Sequence, residues 1–221
     1  MAHEIELLMT EFVTHDVKRF ITTRPPGFDV TPGQGVDLAI ATPEWSEKTR
    51  PFTPTSLEED RVLEFTIKRY PDHQGVTDAL HRLEPGAHLL VSDPWGSIRY
   101  EGPGVFIAGG AGITPFMAIL RRLARDGQLD GCTLLFSNKT PADIICAEEF
   151  RHYLGERCTF LCTRATAPGC EARRIDKDLL RERIGDFGQR FYTCGPKVFV
   201  REINAALVEL GASPETIVFE K

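Results

Sequence analysis

The chain lacks a long hydrophobic run, a secretion signal and any excess of positive charge. None of its 221 residues belongs to an apolar stretch of about 18 or more, the length at which a membrane span is expected. Its N-terminus is acidic and has no basic segment followed by an apolar one, so we expect no secretory signal. A formal net charge of −6 at pH 7 makes nucleic acid a poor candidate partner.

The chain also lacks the clustered cysteines and histidines that hold metal ions. No cysteines form a C-x-x-C pair or the C-x4-C-x2-C spacing of an iron–sulfur centre, and no histidines form H-x-H or H-E-x-x-H. We therefore expect no metal. Scattered cysteines in a chain of this length predict reduced thiols and a cytoplasmic protein. The six cysteines are Cys132, Cys146, Cys158, Cys162, Cys170 and Cys194.

The first part of the chain, residues 1–102, predicts an antiparallel β-barrel domain. Short alternating or β-branched runs are broken by Gly and Pro, which is typical of barrel strands joined by turns. A single helix is predicted over Val76–Leu83, because Ala79, Leu80 and Leu83 share one face. The predicted strands are Ile5–Leu8, Val17–Thr23, Val36–Thr42, Val62–Tyr70, His88–Ser92 and Ser97–Tyr100.

The second part, residues 103–221, predicts an α/β domain built on a parallel sheet. Strands alternate with helices here, and such a sheet is covered by helices on both faces. The predicted strands are Val105–Ala108, Cys132–Ser137, Thr159–Thr163, Arg190–Thr193 and Thr216–Phe219. The predicted helices are Pro115–Arg125, Ala147–Leu154, Lys177–Ile184 and Lys197–Leu210.

Two glycine turns lie between a predicted strand and a predicted helix of this second part. The first is Gly109–Pro115, and the second is Thr193-Cys194-Gly195-Pro196. Amides at a helix start favour an anion, and glycine lets the backbone approach a phosphate closely. The first turn lacks the G-x-G-x-x-G fingerprint, so a turn without a ligand remains an alternative for it. Both turns should meet at the carboxyl edge of the sheet, where ligands of open parallel sheets bind.

A third motif lies in the first part of the chain. Arg50-Pro51-Phe52-Thr53 places a cation, an aromatic ring and a hydroxyl within four residues of an extended segment. A cation and a ring so close together are suited to the phosphate and the ring of a flavin. The glycine turns are suited to the phosphates of a nicotinamide nucleotide. Hydride transfer between two such rings is a complete reaction.

These three motifs, in this order, resemble those of the ferredoxin–NADP reductase superfamily, especially bacterial flavodoxin or ferredoxin reductases and cytochrome b5 reductases. In the order of the chain, Arg50-Pro51-Phe52-Thr53 resembles the family's R-x-Y-[S/T] flavin motif, Gly109–Pro115 its G-G-x-G-I-T-P motif and Thr193-Cys194-Gly195-Pro196 its C-G-P motif. The resemblance covers essentially the whole chain. It implies an FAD-binding β-barrel followed by an NAD(P)-binding α/β domain.

The resemblance implies roles for the flavin motif. Arg50 would bind a flavin phosphate, Phe52 would lie against the isoalloxazine ring, and Thr53 would hydrogen-bond near flavin N5, with Pro51 between them. The family usually has Tyr at the position of Phe52. The ring face is retained here, but any contact of the missing hydroxyl must be made otherwise.

Two further segments resemble the family's flavin site. Ile67-Lys68-Arg69-Tyr70 resembles the segment beside the ribityl chain and phosphates, although solvated charge is the expectation for one of Lys68 and Arg69. Gly75-Val76-Thr77 resembles the phosphate-binding turn that opens the barrel's helix. Two phosphate sites favour FAD over FMN.

For the coenzyme, the resemblance implies that Gly110, Gly112, Ile113, Thr114 and Pro115 bind the pyrophosphate. Cys194, Gly195 and Pro196 would contact the nicotinamide, with Cys194 as a catalytic residue beside Thr53.

The choice between NADH and NADPH stays open. Thr163, Arg164 and Arg173 resemble sites for a 2′-phosphate, since arginine suits phosphate geometry. Pro141–Ile145 instead resembles the corresponding loop of NADH-using b5-type reductases. We favour NADPH slightly.

At the C-terminus, Phe219 would shield the flavin, and Glu220 is a candidate proton relay or a solvated carboxylate. The expected function is transfer of a hydride from NAD(P)H to FAD and then of single electrons to a separate carrier such as ferredoxin or flavodoxin. The alternatives are the reductase component of an oxygenase, a free-flavin or quinone reductase, and a non-catalytic flavin-holding or redox-sensing subunit.

Overall fold

The computed structural model describes residues 2–96 and 98–219, which form an antiparallel sheet followed by a parallel one. The first six strands pair in the order β4-β3-β6-β1-β2-β5, with all neighbours antiparallel. A bridge between Pro54 and Phe65 joins the two edges of this sheet, and the Thr55 amide donates to the Glu64 carbonyl oxygen at 2.7 Å. The predicted antiparallel barrel is confirmed. Its elements are β1 Ala2–Thr14, β2 Val17–Thr23, β3 Val36–Ile40, β4 Arg50–Phe52, β5 Val62–Lys68, α1 Val76–Leu80 and β6 His88–Ser92.

The barrel interior is filled by alternate residues of its strands, as the period of two requires. Val36, Leu38 and Ile40 of β3 point inward with Leu63 and Phe65 of β5, and all are at most 3% exposed. Helix α1 covers one end of this core with Val76, Ala79 and Leu80. The core therefore fixes the positions of the strand ends that carry the candidate flavin motif.

The second part of the chain is a five-stranded parallel sheet in the order β11-β10-β7-β8-β9. Phe106, Ala108 and Phe136 face α2 and α3 on one side, while Val105 and Ile107 face α4 and α5 on the other. Strand β7 is buried along its whole length, as expected for a sheet covered on both faces. The elements are β7 Gly104–Gly109, α2 Thr114–Arg125, β8 Thr133–Asn138, α3 Ala147–Leu154, β9 Cys158–Cys162, α4 Lys177–Arg183, β10 Arg190–Cys194, α5 Lys197–Glu209 and β11 Ile217–Phe219.

The bounds of several elements differ from the sequence-based prediction. The strand predicted over Ser97–Tyr100 does not form in residues 98–100, because Ile98 is buried in the core of the α/β part instead; Ser97 lies outside the described residues. Helix α1 ends at Leu80, short of the predicted Leu83. Strand β1 runs on to Thr14, where its exposed residues give no alternating pattern.

The prediction that all cysteines are reduced thiols is wrong for one pair. Cys162 and Cys170 form a disulfide that closes the loop after β9. Cys162 ends that strand, and the intervening chain turns back so that the Cys170 amide donates to the Ala167 carbonyl oxygen. Sequence spacing does not reveal such a turn. No helix in the described part of the chain has both the length and the apolar character needed to cross a membrane.

A half-buried arginine joins the barrel to the α/β part. Arg121 of α2 donates from Nη1 to the Thr55 carbonyl oxygen at 2.7 Å and to Glu64 Oε1 at 2.6 Å. Its Nε and Nη2 bind the two carboxylate oxygens of Glu149, at 2.6 and 3.0 Å. Burial disfavours ionisation of both partners, but the pairing outweighs it, so the pKa of Arg121 is raised and that of Glu149 is lowered.

Replacing this arginine should destabilise the protein strongly. In Arg121→Met, the carboxylates of Glu64 and Glu149, which are 16% and 21% exposed, lose their buried partner. Removing one partner of a buried pair costs about 3–5 kcal/mol, which is measurable as the free energy of unfolding in urea. Because the pKa of Glu149 is lowered, its ion pair makes the free energy of unfolding depend on pH. The stabilisation is present above the ordinary pKa of 4.5 and is lost as the pH falls below that value.

Arg122→Met is the matched control on the same helix. Arg122 pairs with Glu58 and Glu59 in more exposed positions, so its loss should have a much smaller effect. Equal effects of the two substitutions would contradict the role assigned to Arg121.

Candidate functional site

A cleft of about 670 Å³ lies between the barrel and the carboxyl edge of the parallel sheet. It brings together residues of all three sequence motifs, although up to 145 positions separate them along the chain. The predicted site residues that line it are Pro51, Phe52, Thr53, Ile67, Lys68, Tyr70, Thr77, Gly110, Gly112, Thr114, Pro115, Thr163, Cys194, Gly195 and Pro196.

Other predicted site residues do not line the cleft. Val76 and Ile113 point into the hydrophobic cores and are at most 2% exposed, so only their main chain faces ligands. Phe219 pairs with Thr193 at the sheet edge, but its ring packs against the core beneath α4 and α5. Glu220 lies outside the described residues. Arg50, Arg69, Gly75, Arg164 and Arg173 flank the cleft without lining it.

The flavin motif forms strand β4 and the turn that follows it. Arg50 pairs with Leu38 and Phe52 with Val36 on β3, which fixes the direction of the motif. The Arg50 guanidinium donates to the Thr49 carbonyl oxygen at 2.7 Å and has no acidic partner among residues 2–96 and 98–219. The motif therefore presents an unpaired positive charge beside the ring of Phe52.

Lys68 and Arg69, adjacent on the chain, have different surroundings. Lys68 lines the cleft, is 14% exposed, and lies 2.6 Å from Asp16 and 3.8 Å from Asp143 of the α/β part. Burial raises the pKa of Asp16, but Lys68 outweighs that effect and the pKa is lowered. Arg69 instead pairs with Asp78 of α1 at 2.7 Å, outside the cleft. Only Lys68 is thus placed to meet a ligand in the cleft.

His15 joins this charged group, which spans the two parts of the chain. The ligand atoms of His15, Asp16 and Asp143 lie within 4.8 Å of one another. The ammonium group of Lys68 already supplies a positive charge to the two carboxylates. The geometry therefore describes an ion-pair cluster at the rim of the cleft.

The two glycine turns touch each other because β7 and β10 are neighbours in the sheet, with Ala108 opposite Cys194. A Cβ atom on Gly112 would lie 2.5 Å from the carbonyl carbon and oxygen of Cys194 and from the amide nitrogen of Gly195. Real Cβ atoms do not approach so closely, so only glycine fits at position 112. Gly110 has a positive φ of 54°, which also favours glycine.

Phe199, in the first turn of α5, was missed by the sequence analysis. It lines the cleft and packs over both turns, since its ring lies 3.1 Å from a Cβ built on Gly109 and 2.9 Å from one built on Gly195. Its position five residues after Cys194 could have predicted that it lines the cleft, because the first turn of a helix lies beside the end of the strand that precedes it.

The carboxyl end of β8 was also missed. Ser137, Asn138 and Lys139 line the cleft, as predicted in general for strand ends of such sheets. Asn138 is 5% exposed, and neither polar atom of its side chain has a hydrogen-bond partner among the described residues. A polar residue at the end of a strongly apolar strand was the signal available in the sequence.

A second pocket, of about 570 Å³, lies beyond Thr163 and holds the predicted 2′-phosphate residues. Thr163 borders both this pocket and the main cleft. Arg173 is paired with Glu182 at 2.7 Å. In the described part of the chain, Arg164 and Arg174 have no acidic partner, and both are exposed. Two uncompensated arginines thus face a pocket that continues from the cleft.

Comparison with known proteins agrees with this arrangement. Residues 4–100 match the sequence model of the oxidoreductase FAD-binding domain, and residues 106–205 match that of the oxidoreductase NAD-binding domain. The chain belongs to the ferredoxin–NADP reductase superfamily. It therefore carries an FAD-binding domain followed by an NAD-binding domain. The boundary between residues 102 and 103 falls in the unmatched segment and stays a prediction.

Similar proteins with curated names are reductases. The chain is 26% identical over 224 residues to the ferredoxin–NAD(P)+ reductase component of the naphthalene 1,2-dioxygenase system of Pseudomonas putida, covering 96% of this chain and 66% of that protein. It is 30% identical over 221 residues to an NADPH nitrate reductase of Beauveria bassiana, covering 85% and 25%. The chain thus spans from a quarter to about two thirds of the length of these relatives.

Solved structures share the fold. A ferredoxin NADP+ reductase from Neisseria gonorrhoeae with bound FAD and NADP has a TM-score of 0.84 at 20% identity, covering 99% of this chain and 98% of that one. The CS-b5R domains of human Ncb5or in the NAD+ form have a TM-score of 0.84 at 28% identity, covering 100% and 70%.

Proposed function

We propose that the chain is a flavoprotein reductase that takes a hydride from NAD(P)H onto FAD and delivers single electrons to a separate acceptor. The observation that supports this most directly is the common cleft. Phe52 and Thr53 line its barrel side, and Gly112 and Cys194 line its α/β side. Bound FAD supplies the redox chemistry, and the protein's task is to align the two rings and exclude water.

The shape of the cleft fits these ligands. Its volume of about 670 Å³ is in the range of small-molecule sites, roughly 300–1,000 Å³. The close approach of Gly112 to Cys194 and Gly195 packs the two glycine turns against each other, and any larger side chain at position 112 would collide with that main chain. Main-chain amides of residues 110–113 precede α2, a helix of 12 residues, and such helix starts favour a pyrophosphate.

On the barrel side, the proposed roles follow the family motif and the charge distribution. Arg50, which has no acidic partner among the described residues, would bind a flavin phosphate, and Phe52 would lie against the flavin ring. Thr53 is half-buried in the cleft wall, where its hydroxyl would donate to flavin N5. Lys68 would reach a phosphate only in competition with Asp16 and Asp143.

On the α/β side, Cys194 is 7% exposed and ends β10 at the cleft. We propose that it packs against the nicotinamide and orients it towards the flavin.

The pKa values of the Cys146 and Cys158 thiols are raised by burial to about 11 and about 12. Neither is a thiolate near neutral pH, and neither lines the cleft.

The pocket beyond Thr163 supports NADPH as the preferred coenzyme. Arg164 and Arg174 offer two guanidinium groups that have no acidic partner within residues 2–96 and 98–219, and the planar guanidinium group suits the geometry of phosphate. Nitrate reductases among the relatives are named for NADPH. The b5-type loop at Pro141–Ile145 keeps NADH as the alternative.

The proposed acceptor is a separate carrier protein: a ferredoxin, a flavodoxin or an oxygenase component. The relatives include reductase components of naphthalene dioxygenase and propane monooxygenase systems. The alternative from another class is a subunit that holds flavin without turning over.

The purified chain tests the proposal directly. Denaturation should release FAD, identified by chromatography, in about equal amount to the protein. The native chain should reduce ferricyanide with NADPH as donor and without any added protein. Stoichiometric FMN would contradict the FAD assignment, and bound FAD without turnover would favour the non-catalytic alternative.

Arg164→Ala tests the choice of coenzyme. If Arg164 binds the 2′-phosphate, kcat/KM for NADPH should fall by roughly 10- to 100-fold, because a charge-assisted contact contributes about 1.5–3 kcal/mol. The value for NADH, which lacks that phosphate, should hardly change.

Arg181→Ala is the control, since Arg181 pairs with Asp178 on the surface of α4 and with no other acidic residue in the part of the chain that the structure describes. A triple substitution of Arg164, Arg173 and Arg174 covers the case in which neighbours share the contact. A wild type that already prefers NADH, or equal losses with both coenzymes, would show that these arginines have no phosphate role.

A further inference from the structure

Asn138, the last residue of β8, has a buried side-chain amide without a partner. The residue is 5% exposed, and its Nδ2 and Oδ1 account for two of the three buried polar side-chain atoms in the described chain that lack a hydrogen bond. The third, Arg19 Nε, lies 3.4 Å from Glu64 Oε2 and so has a charged neighbour. Buried polar groups are nearly always paired, so the Asn138 amide stands out.

The main chain at Asn138 is firmly held. Its carbonyl oxygen accepts from the amide of Thr163 at 2.9 Å and from the Thr163 hydroxyl at 3.3 Å. Its position opposite Cys162 in the register of β8 and β9 is also fixed by the sheet. A shift of the backbone cannot therefore supply the missing partners. Water or a molecule that enters the cleft, which Asn138 lines, can supply them.

The chemistry of the amide restricts what that molecule offers. Nδ2 donates and Oδ1 accepts, so a full match needs a group that both accepts and donates. Phosphate oxygens only accept and would leave Oδ1 unpaired. A sugar hydroxyl does both.

The position of β8 in the sheet indicates which sugar this is. β8 lies between β7, which leads into the glycine turn proposed for the pyrophosphate, and β9, which leads to Thr163 and the arginine pocket. In the proposed function, the nicotinamide end of the coenzyme would lie on the far side of β7, at Cys194 of β10. A ligand that runs from the glycine turn to the arginine pocket passes β8 with its adenosine half.

We propose that the Asn138 amide binds a hydroxyl of the adenosine ribose of the nicotinamide coenzyme. This inference rests on the proposed function, because it assigns a contact within the same cleft. Asn138 would bind NADH and NADPH alike, since the 3′-hydroxyl is common to both. Arg164 would then discriminate between the coenzymes, and Asn138 would position the half that they share.

Asn138→Leu tests the proposal by binding rather than by turnover. Calorimetric titration of the FAD-loaded chain should show the Kd for both NADP+ and NAD+ rising about 10- to 100-fold, the effect of losing two hydrogen bonds. The Kd for 2′,5′-ADP should rise as well, while that for nicotinamide mononucleotide should stay unchanged. The melting temperature without coenzyme should stay the same or rise, because the substitution removes unpaired buried polar atoms.

Thr133→Ala, at the opposite end of β8, is the control and should keep wild-type affinities. Asn138→Ala repeats the test if the leucine variant does not fold. Unchanged coenzyme affinity, or a loss confined to nicotinamide mononucleotide, would overturn the inference. A lowered melting temperature with unchanged affinity would overturn it too and show a purely structural amide.

The failure of the inference is distinguishable from that of the proposed function. If the wild type and Asn138→Leu bind coenzyme with the same affinity, only the proposed role of Asn138 is refuted. A wild type that binds neither NADP+ nor NAD+ would refute both.

Discussion

The half-buried guanidinium of Arg121 sets the geometry on which the candidate site depends. Its partners are Thr55 and Glu64 of the barrel and Glu149 of α3. Thr55 lies two residues after Thr53 of the flavin motif, and Glu64 lies on β5, the strand that ends with Lys68 at the cleft. Arg121 itself lies on α2, the helix that begins directly after the first glycine turn. One side chain therefore connects the flavin wall of the cleft with its coenzyme wall.

This link restricts how the two walls move. Separating them would take the Glu64 carboxylate, which is 16% exposed, away from the Arg121 guanidinium, although Arg121 would keep Glu149 on its own side of the cleft. Breaking such a pair costs free energy because it leaves a largely buried carboxylate without this partner. Apolar contacts also hold the two parts of the chain together, because Val17 and Ile98, from the first part, are buried in the core of the α/β part. Hydride transfer requires reacting atoms about 3–3.5 Å apart. Two walls that are fixed relative to each other can maintain that distance.

Much of the fold followed from the sequence because its signals are local. Strand alternation, glycine turns and helix periodicity predicted an antiparallel barrel followed by a parallel sheet, and the structure confirms that class. The strand predicted over Ser97–Tyr100 was wrong for residues 98–100, because Ile98 packs in the core of the α/β part. The length of β1 and the end of α1 were also predicted wrongly. Where packing does not impose a hydrophobic pattern, the sequence carries little information about where a strand or helix ends.

The site was predictable only in part. The three motifs line one cleft, as expected for strand ends at one sheet edge, and the roles of their residues remain proposals. Arg121, the pairing of Lys68 with Asp16 and Asp143, and the disulfide between Cys162 and Cys170 could not be predicted, because they join residues whose proximity depends on packing. Phe199 and Asn138 could have been predicted as site residues, since each lies at or just after a strand end.

The central claim is that the two walls of the cleft hold a flavin and a nicotinamide ring close enough for direct hydride transfer. Anaerobic stopped-flow mixing of the FAD-loaded chain with NADPH deuterated at C4 tests it most directly. The account predicts loss of the oxidised flavin absorbance by two electrons per FAD, slowed by deuterium and requiring no other protein. A flavin that stays oxidised under these conditions, or is reduced only after an acceptor protein is added, would contradict it.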